Sequence, residues 1–166
     1  MLFKLVNMNK ILYWISYMSL INNYFSVDHQ KLDCLFEAFI SHRTKGDDNG
    51  YNYFQLFHKG LIQHIEWEEK ILFPFIENLV PMSQGPTSVM CEEHGQIKVL
   101  LEIIDHKLAS QFNGEILEIT QLTTILAAHN LKEENVLYPM IDNNINQAQR
   151  AEIFSEMELL QQTKRA

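Results

Sequence analysis

An internal repeat constrains this chain more than any other feature. Shifted by 65 residues, His64-Ile-Glu-Trp-Glu68-Glu-Lys-Ile-Leu-Phe-Pro74 lies over His129-Asn-Leu-Lys-Glu133-Glu-Asn-Val-Leu-Tyr-Pro139, and His29-Gln-Lys-Leu lies over His94-Gly-Gln-Ile. The separations agree too, with 35 residues from His29 to His64 and 35 from His94 to His129. Self-similarity at one fixed offset marks a repeated supersecondary unit. The chain therefore reads as two helix pairs of similar design, each carrying a histidine and then a His-x3-Glu.

Strand signals are nearly absent, since no sustained period-2 run is bounded by hairpin turns. Helical periodicity runs throughout. Breakers cluster at 45–50 and 81–86, with a weaker pair at Asn113-Gly114. They predict helices over roughly 27–44, 51–79, 87–111 and 115–143, and a shorter one near 147–162. Ser26 and Thr87 or Ser88 are the expected N-caps. Four long amphipathic segments joined by short loops predict an all-α, antiparallel up-down four-helix bundle. A short extra C-terminal helix and an N-terminal apolar segment complete the expected fold. Pro74 and Pro139, each ten residues after its histidine, are expected to kink or end their helices at matching points.

A chain of 166 residues, 46% hydrophobic and 20% charged, is ordinary globular material for one domain with a real core. The formal net charge of −8 argues against nucleic acid as a partner, because phosphate binding needs a basic patch and none stands out. Cys34 and Cys91 are too few for a disulfide framework and suit a reducing cytoplasm, where a thiol usually sits as a small buried hydrophobe. Residues 11–27 carry no charge and follow Lys4 and Lys10, a pattern like the start of a secretory signal. Ser16, Ser19, Asn22 and Asn23 interrupt it, no clear small-x-small cleavage site follows, and it is too short and polar to span a bilayer comfortably. The favoured reading takes residues 1–18 as an N-terminal extension outside the core, with Met18 as a natural start, and residues 19–166 as the domain. A cytoplasmic protein without a membrane partner is expected.

Positions i and i+4 of a helix differ by about 40° and share a face. His64 and Glu68 therefore point the same way, as do His129 and Glu133. Ile71 and Phe75 continue the first face and Val136 and Met140 the second, and as core residues they place both pairs inward. His29 shares its face with Leu32 and Phe36, and His94 with Ile97 and Leu101, so these histidines look inward too. Imidazoles and carboxylates facing a core are costly to bury without partners. A metal ion resolves that cost, because both groups are suitable ligands. The candidate metal ligands are His29, His64, Glu68, His94, His129 and Glu133. Two carboxylates can bridge a pair of metals while four histidines fill terminal positions, an economy that di-iron and di-manganese bundles use. Coordination positions then stay free for water, O2 or another small oxidant.

These residues resemble the hemerythrin-like, or HHE cation-binding, family over roughly residues 19–143. The resemblance is carried by Asp28-His29 with Leu32 and Leu35-Phe36, then His64-x3-Glu68-Glu69 with Leu72-Phe73-Pro74. Glu92-Glu93-His94 follows, and finally His129-x3-Glu133-Glu134 with Leu137-Tyr138-Pro139. It implies a non-haem centre of two iron ions, used for O2 binding, for O2 or redox sensing, or in responses to nitric oxide and peroxide. The ligand mix alone would also accept manganese or zinc. Oxygen-carrying hemerythrins have a His-x3-His pair on the third helix, whereas His94 is followed four residues later by Lys98. They also place the last carboxylate five residues after its histidine, which selects Glu134. Helical geometry and the symmetry with Glu68 favour Glu133, with Glu134 in reserve. The similar di-iron proteins that repair damaged iron centres carry an extra N-terminal cysteine-bearing domain, which this sequence lacks. The expectation is a module that binds O2 or a related small oxidant for sensing or storage, with redox or repair chemistry as the alternative.

Asp33 and Lys98 are symmetry mates, each four residues after the first histidine of its half, and both are expected to lean towards the site. Asp33 offers a further ligand or an acceptor that orients an imidazole. Lys98 offers a donor to a metal-bound anion, and the plainer account for both is ion pairing or snorkelling outwards. His42, His58 and His106 do not fit the repeat and are expected at the surface. Cys91 is expected as a buried structural thiol, and Trp67, Ile71, Phe75 and Met140 as core that walls the site from water.

Overall fold

The computed structural model describes residues 20–47, 49–79, 85–112 and 114–164. The N-terminal extension at 1–18 and much of the 81–86 breaker lie outside the described residues, as does Asn113 of the weaker one. Five helices account for the described chain, and no strand occurs among the described residues. Helix α1 is Ile21–Thr44. Helix α2 runs as α-helix over Asn49–Trp67, as π-helix over Glu68–Leu72 and as α-helix again over Phe73–Leu79. Helix α3 is Pro86–Ala109. Helix α4 repeats the pattern of α2, with α-helix at Leu117–Lys132, π-helix at Glu133–Leu137 and α-helix at Tyr138–Asn144. Helix α5 is Gln147–Thr163.

The two prolines explain the matching π segments. Proline has no N–H to give, and its ring collides with the carbonyl four residues back. Widening the turn before Pro74 and Pro139 accommodates this, and the helices continue instead of ending. The backbone N–H of Phe73 reaches back five residues to the Glu68 carbonyl, and that of Tyr138 to the Glu133 carbonyl. Each widened turn therefore starts on a glutamate that the repeat singles out, in keeping with the frequency of π-bulges at functional sites.

Helix starts differ from the sequence expectation. Ser26 lies inside α1, where its hydroxyl bonds the Asn22 side chain. The first turn of α1 is capped from across the molecule, by Asp142 oxygens accepting from the N–H groups of Ile21 and Asn22 at 3.0 Å each. The N-cap of helix α3 is Gly85, two residues ahead of Thr87 and three ahead of Ser88, with Pro86 in the first turn, where proline's fixed φ suits a helix start. Thr87 instead donates to Glu77, and Ser88 to the Gly85 carbonyl. Helix α5 opens with a local capping box of Asn146 and Gln149. Between α1 and α2, Gly46 takes a φ of +69°, which a side chain would strain.

Helix α1 packs along α2 and α3 along α4, while α2 also meets α3 and α1 meets the last part of α4. Two buried clusters result. One gathers Leu32, Phe39, Phe54, Leu61, Ile97 and Leu101, and the other Phe25, Leu72, Phe73, Met90, Tyr138 and Ile153. Side chains of this size each contribute about 1.5–3 kcal/mol on burial. The buried histidine of every long helix falls at the junction of the two clusters. His29 lies between Phe25 and Leu32, and His94 between Met90 and Ile97.

Two burial expectations are corrected. Val136 is 59% exposed, although its symmetry mate Ile71 is buried. Helix α5 lies against the π segment of α2, and its Ile153 and Met157 share a buried cluster with Ile71, to which Val136 does not belong. Cys34 and Cys91 are both exposed free thiols, because neither falls on the inward stripe of its helix. Among the described residues, no helix is long and apolar enough to cross a membrane.

Candidate metal centre

The six residues singled out by the repeat meet in one place. His29 Nε2 lies 3.0 Å from His64 Nε2, and His94 Nε2 lies 3.0 Å from His129 Nε2. Glu68 and Glu133 span the two histidine pairs. Glu68 Oε2 is 3.6 Å from His64 Nε2 and 3.3 Å from His94 Nε2. Glu133 Oε2 is 3.4 Å from His29 Nε2, and its Oε1 is 3.0 Å from His129 Nε2. None of these six residues is more than 4% exposed.

Every histidine also commits its other ring nitrogen. His64 Nδ1 donates to Asp28 at 3.0 Å and His129 Nδ1 to Glu93 at 2.9 Å. His94 Nδ1 donates to Glu69 at 3.0 Å and His29 Nδ1 to Glu134 at 2.8 Å. A carboxylate can only accept here, so each Nδ1 holds a proton and each Nε2 faces the centre, available as a ligand once it carries no proton. The acceptors follow the repeat as well: Asp28 and Glu93 are mates at the 65-residue offset, and so are Glu69 and Glu134. Each lies beside a candidate ligand in sequence but serves a histidine on a neighbouring helix. Their signal was present in the sequence as acids flanking the ligands at the repeat offset, yet their roles depend on how the helices meet. Glu134, the reserve ligand, is one of these acceptors.

The donor set fits a metal. Two Nε2 lone pairs facing each other at 3.0 Å repel unless a proton or a cation lies between them. Ligand atoms about 2.1 Å from one ion, at right angles, stand about 3.0 Å apart. Buried Glu68 Oε2 and Glu133 Oε1 accept no hydrogen bond among the described residues, which a native core seldom tolerates without a reason. Imidazole nitrogen with carboxylate oxygen suits iron, manganese or zinc.

Tyr138 is the residue that the sequence reading missed. Its buried hydroxyl lies 2.7 Å from Glu68 Oε1 and 3.0 Å from Glu133 Oε2. Its symmetry mate is Phe73, which stacks on His94 with ring centres 5.9 Å apart. A tyrosine set against a phenylalanine in the repeat was the available clue. Burial, followed by the charges of Glu68 and Glu133, pushes the phenol well above its ordinary value of 10.0.

Without metal, the cluster is strongly coupled electrostatically. Burial opposes a charge on His29, but the carboxylates of Glu133 and Glu134, with Glu68 behind them, lift it from 6.5 to about 9. His129 is raised the same way, against burial, by Glu133 and Glu93. Burial alone would raise Glu133, and the imidazoles of His129 and His29 instead hold it well below 4.5.

Other expected participants stand further out. Lys98 reaches both oxygens of Glu69, at 2.9 and 2.7 Å, and so ion-pairs with the acceptor behind His94. Asp33 is exposed and is not among the acceptors of the four histidines. His42 pairs with Asp47 at 2.7 Å, His58 lies 3.7 Å from Glu102, and His106 is exposed. Trp67 and Ile71 are buried in the cluster above the site, and Phe75 and Met140 pack on it.

Fold and site define an all-helical protein with four imidazoles and two carboxylates turned into its core. The family profile of the hemerythrin HHE cation binding domain matches residues 20–141, and the chain belongs to that family. It is 30% identical over 124 residues to a DNA nickase of Nostoc sp. (strain PCC 7120 / SAG 25.82 / UTEX 2576), covering 74% of this chain and 34% of that protein. It is 34% identical over 101 residues to the iron-sulfur cluster repair proteins YtfE of Escherichia coli O1:K1 / APEC and Enterobacter sp. (strain 638), covering 52% of this chain and 44% of each relative. The chain thus spans less than half the length of these curated relatives. No solved structure matches it.

Proposed function

We propose that this chain is a non-haem di-iron protein that binds O2 or a related small oxidant for sensing or storage. The four long helices would form an antiparallel up-down bundle around two iron ions. The observation that carries the reading is the convergence of four Nε2 atoms on two shared, buried carboxylates. His29 and His64 would hold one ion, His94 and His129 the other, with Glu68 and Glu133 between them. Bound iron would supply open coordination positions for the oxidant and the capacity to change oxidation state.

The protein's own groups prepare that site. Asp28, Glu69, Glu93 and Glu134 fix each imidazole's tautomer and strengthen its Nε2 as a donor. Tyr138 keeps its proton and donates its O–H as a hydrogen bond to the Glu68–Glu133 pair, which limits how those carboxylates can swing. Phe25, Phe73 and Leu72, all at most 2% exposed, keep bulk water away, so access is restricted to small molecules.

A second reading is redox or repair chemistry in which the centre responds to nitric oxide or peroxide or donates iron. It is favoured by the similarity to proteins named for iron-sulfur cluster repair. Similarity to a DNA nickase does not extend the proposal to nucleic acid, because a net charge of −8 opposes binding to phosphate. Iron-loaded protein, cycled between nitrogen and air in an optical cuvette, tests the choice. An absorption change that appears in air and reverses under nitrogen supports oxygen binding. A change that appears once and does not reverse turns the assignment to redox or repair chemistry.

A further inference from the structure

The repeat is broken on the outer face of its second half. We propose that the exposed face of α3 and α4 is where a second copy of this chain docks, with the two α4 helices antiparallel about a twofold axis at Thr124. This interface stands apart from the metal centre and does not depend on it.

Seven of the ten large apolar side chains left exposed among the described residues lie on α3, on α4 or in the turn between them, against three elsewhere. Along α4, Leu117, Gln121, Thr124, Ala128 and Leu131 follow one another at intervals of four and three residues and share one stripe. All five are exposed, Leu117 by 60% and Leu131 by 62%. Every exposed residue of α4 from Leu117 to Leu131 is uncharged. Beside the stripe a groove of about 540 Å³ runs between the helices, lined by Gly95, Val99 and Leu100 of α3 and by Gln121 and Ile125 of α4. Glu92 is the one charged residue in that lining. The two helices present a face about 30 Å long and 20 Å wide. That is roughly 600 Å² per copy, at the lower end of what a specific pair buries, so the dimer is expected to dissociate on dilution.

Two features select a second copy as the occupant. The first is symmetry. A twofold interface sets one patch against itself, so a residue on the axis meets its own mate and the residues around it pair across it. The stripe satisfies this about Thr124, because Leu117 and Leu131 stand seven residues to either side of it. Thr120 and Gln121 likewise stand opposite Ala127 and Ala128. The mate stripe of α2 is Asn52, Leu56, Lys59, Gln63 and Glu66. It would set two ammonium groups against each other on the axis, where like charges repel, so this pairing is open to α4 and closed to α2. The second feature is charge. Each chain carries −8, so two copies repel over most of their surface and approach at least cost across a face without charge. The same register carries Lys132, eight residues after Thr124, towards Glu115 of the second copy, nine residues before it.

The test is sedimentation equilibrium of the full-length protein over a concentration series. Wild type should approach twice the 19.5 kDa of one chain as concentration rises. Thr124→Lys puts two ammonium groups on the axis and should stay at the single-chain mass with unchanged helicity. Leu56→Lys, on the mate stripe of α2, should dimerise as wild type does. Cross-linking locates the axis independently. Cys34 and Cys91 are exposed free thiols, so both are first replaced by serine. In that background Thr124→Cys should give a disulfide-linked dimer on oxidation with diamide, and Lys59→Cys should not. Three results would each overturn the interface: wild type at the single-chain mass throughout, a dimer that survives Thr124→Lys, or a Lys59→Cys protein that cross-links as well as Thr124→Cys. The two cysteine variants decide the matter even where Thr124→Lys does not fold.

Discussion

Both nitrogens of every histidine in the centre are in use, one towards a carboxylate acceptor and one towards the core. This makes the acceptors testable apart from the ligands. Asp28→Ala leaves all six candidate ligands in place, yet it should weaken metal binding by roughly 10–100-fold in a chelator competition. Tyr138→Phe makes position 138 like its mate, Phe73. Removing the hydroxyl leaves buried carboxylates with one partner fewer, so the metal-free protein should lose about 1–3 kcal/mol in urea unfolding. The metal-loaded form should lose less, because an ion would then hold the carboxylates. His29 sets a pH dependence. Its folded value of about 9 lies above its ordinary 6.5, so its contribution to stability is complete below 6.5 and lost as pH rises through about 9. The urea midpoint of metal-free protein should fall between pH 6.5 and 9.5. A bound ion would displace the proton from His29, so the loaded protein should lack this fall.

At the scale of the element, the helices show where local sequence is sufficient and where it is not. The long helices are readable from periodicity and breakers, and α5 carries its own capping box in Asn146 and Gln149. The start of α1 is different, because its cap comes from Asp142, 121 residues away from Ile21. A search for nearby Ser or Thr therefore lands on Ser26, which is already inside the helix. Asp142→Ala should destabilise the fold by about 1–2 kcal/mol in thermal or urea unfolding, more than Ser26→Ala does. The π segments were half legible. Pro74 and Pro139 announce a disturbance at matching points, but whether a helix kinks, stops or widens depends on what its two ends must pack against. The exposure of Val136 follows from the same limit, since Ile71 gains buried neighbours from α5 in Ile153 and Met157 and Val136 stands outside that cluster. Tyr138 and the four acceptors were visible as letters in the repeat, but their partners are set by contacts between helices.

Over the whole molecule, the repeat places two equivalent helix pairs around one polar centre between two apolar clusters. A core that buries four histidines and two glutamates is costly unless something compensates their charge. If that compensation is a metal, its binding energy is also folding energy. Stability should then rise with free metal, by about 2.7 kcal/mol at a hundredfold excess over the dissociation constant. The most direct measurement is the iron content of anaerobically purified protein, compared with that of a His29→Ala/His94→Ala double variant that retains wild-type helicity. The account predicts about two irons per chain in wild type and a large loss in the variant. Wild type with one metal or none, or a variant that keeps its iron, would contradict it.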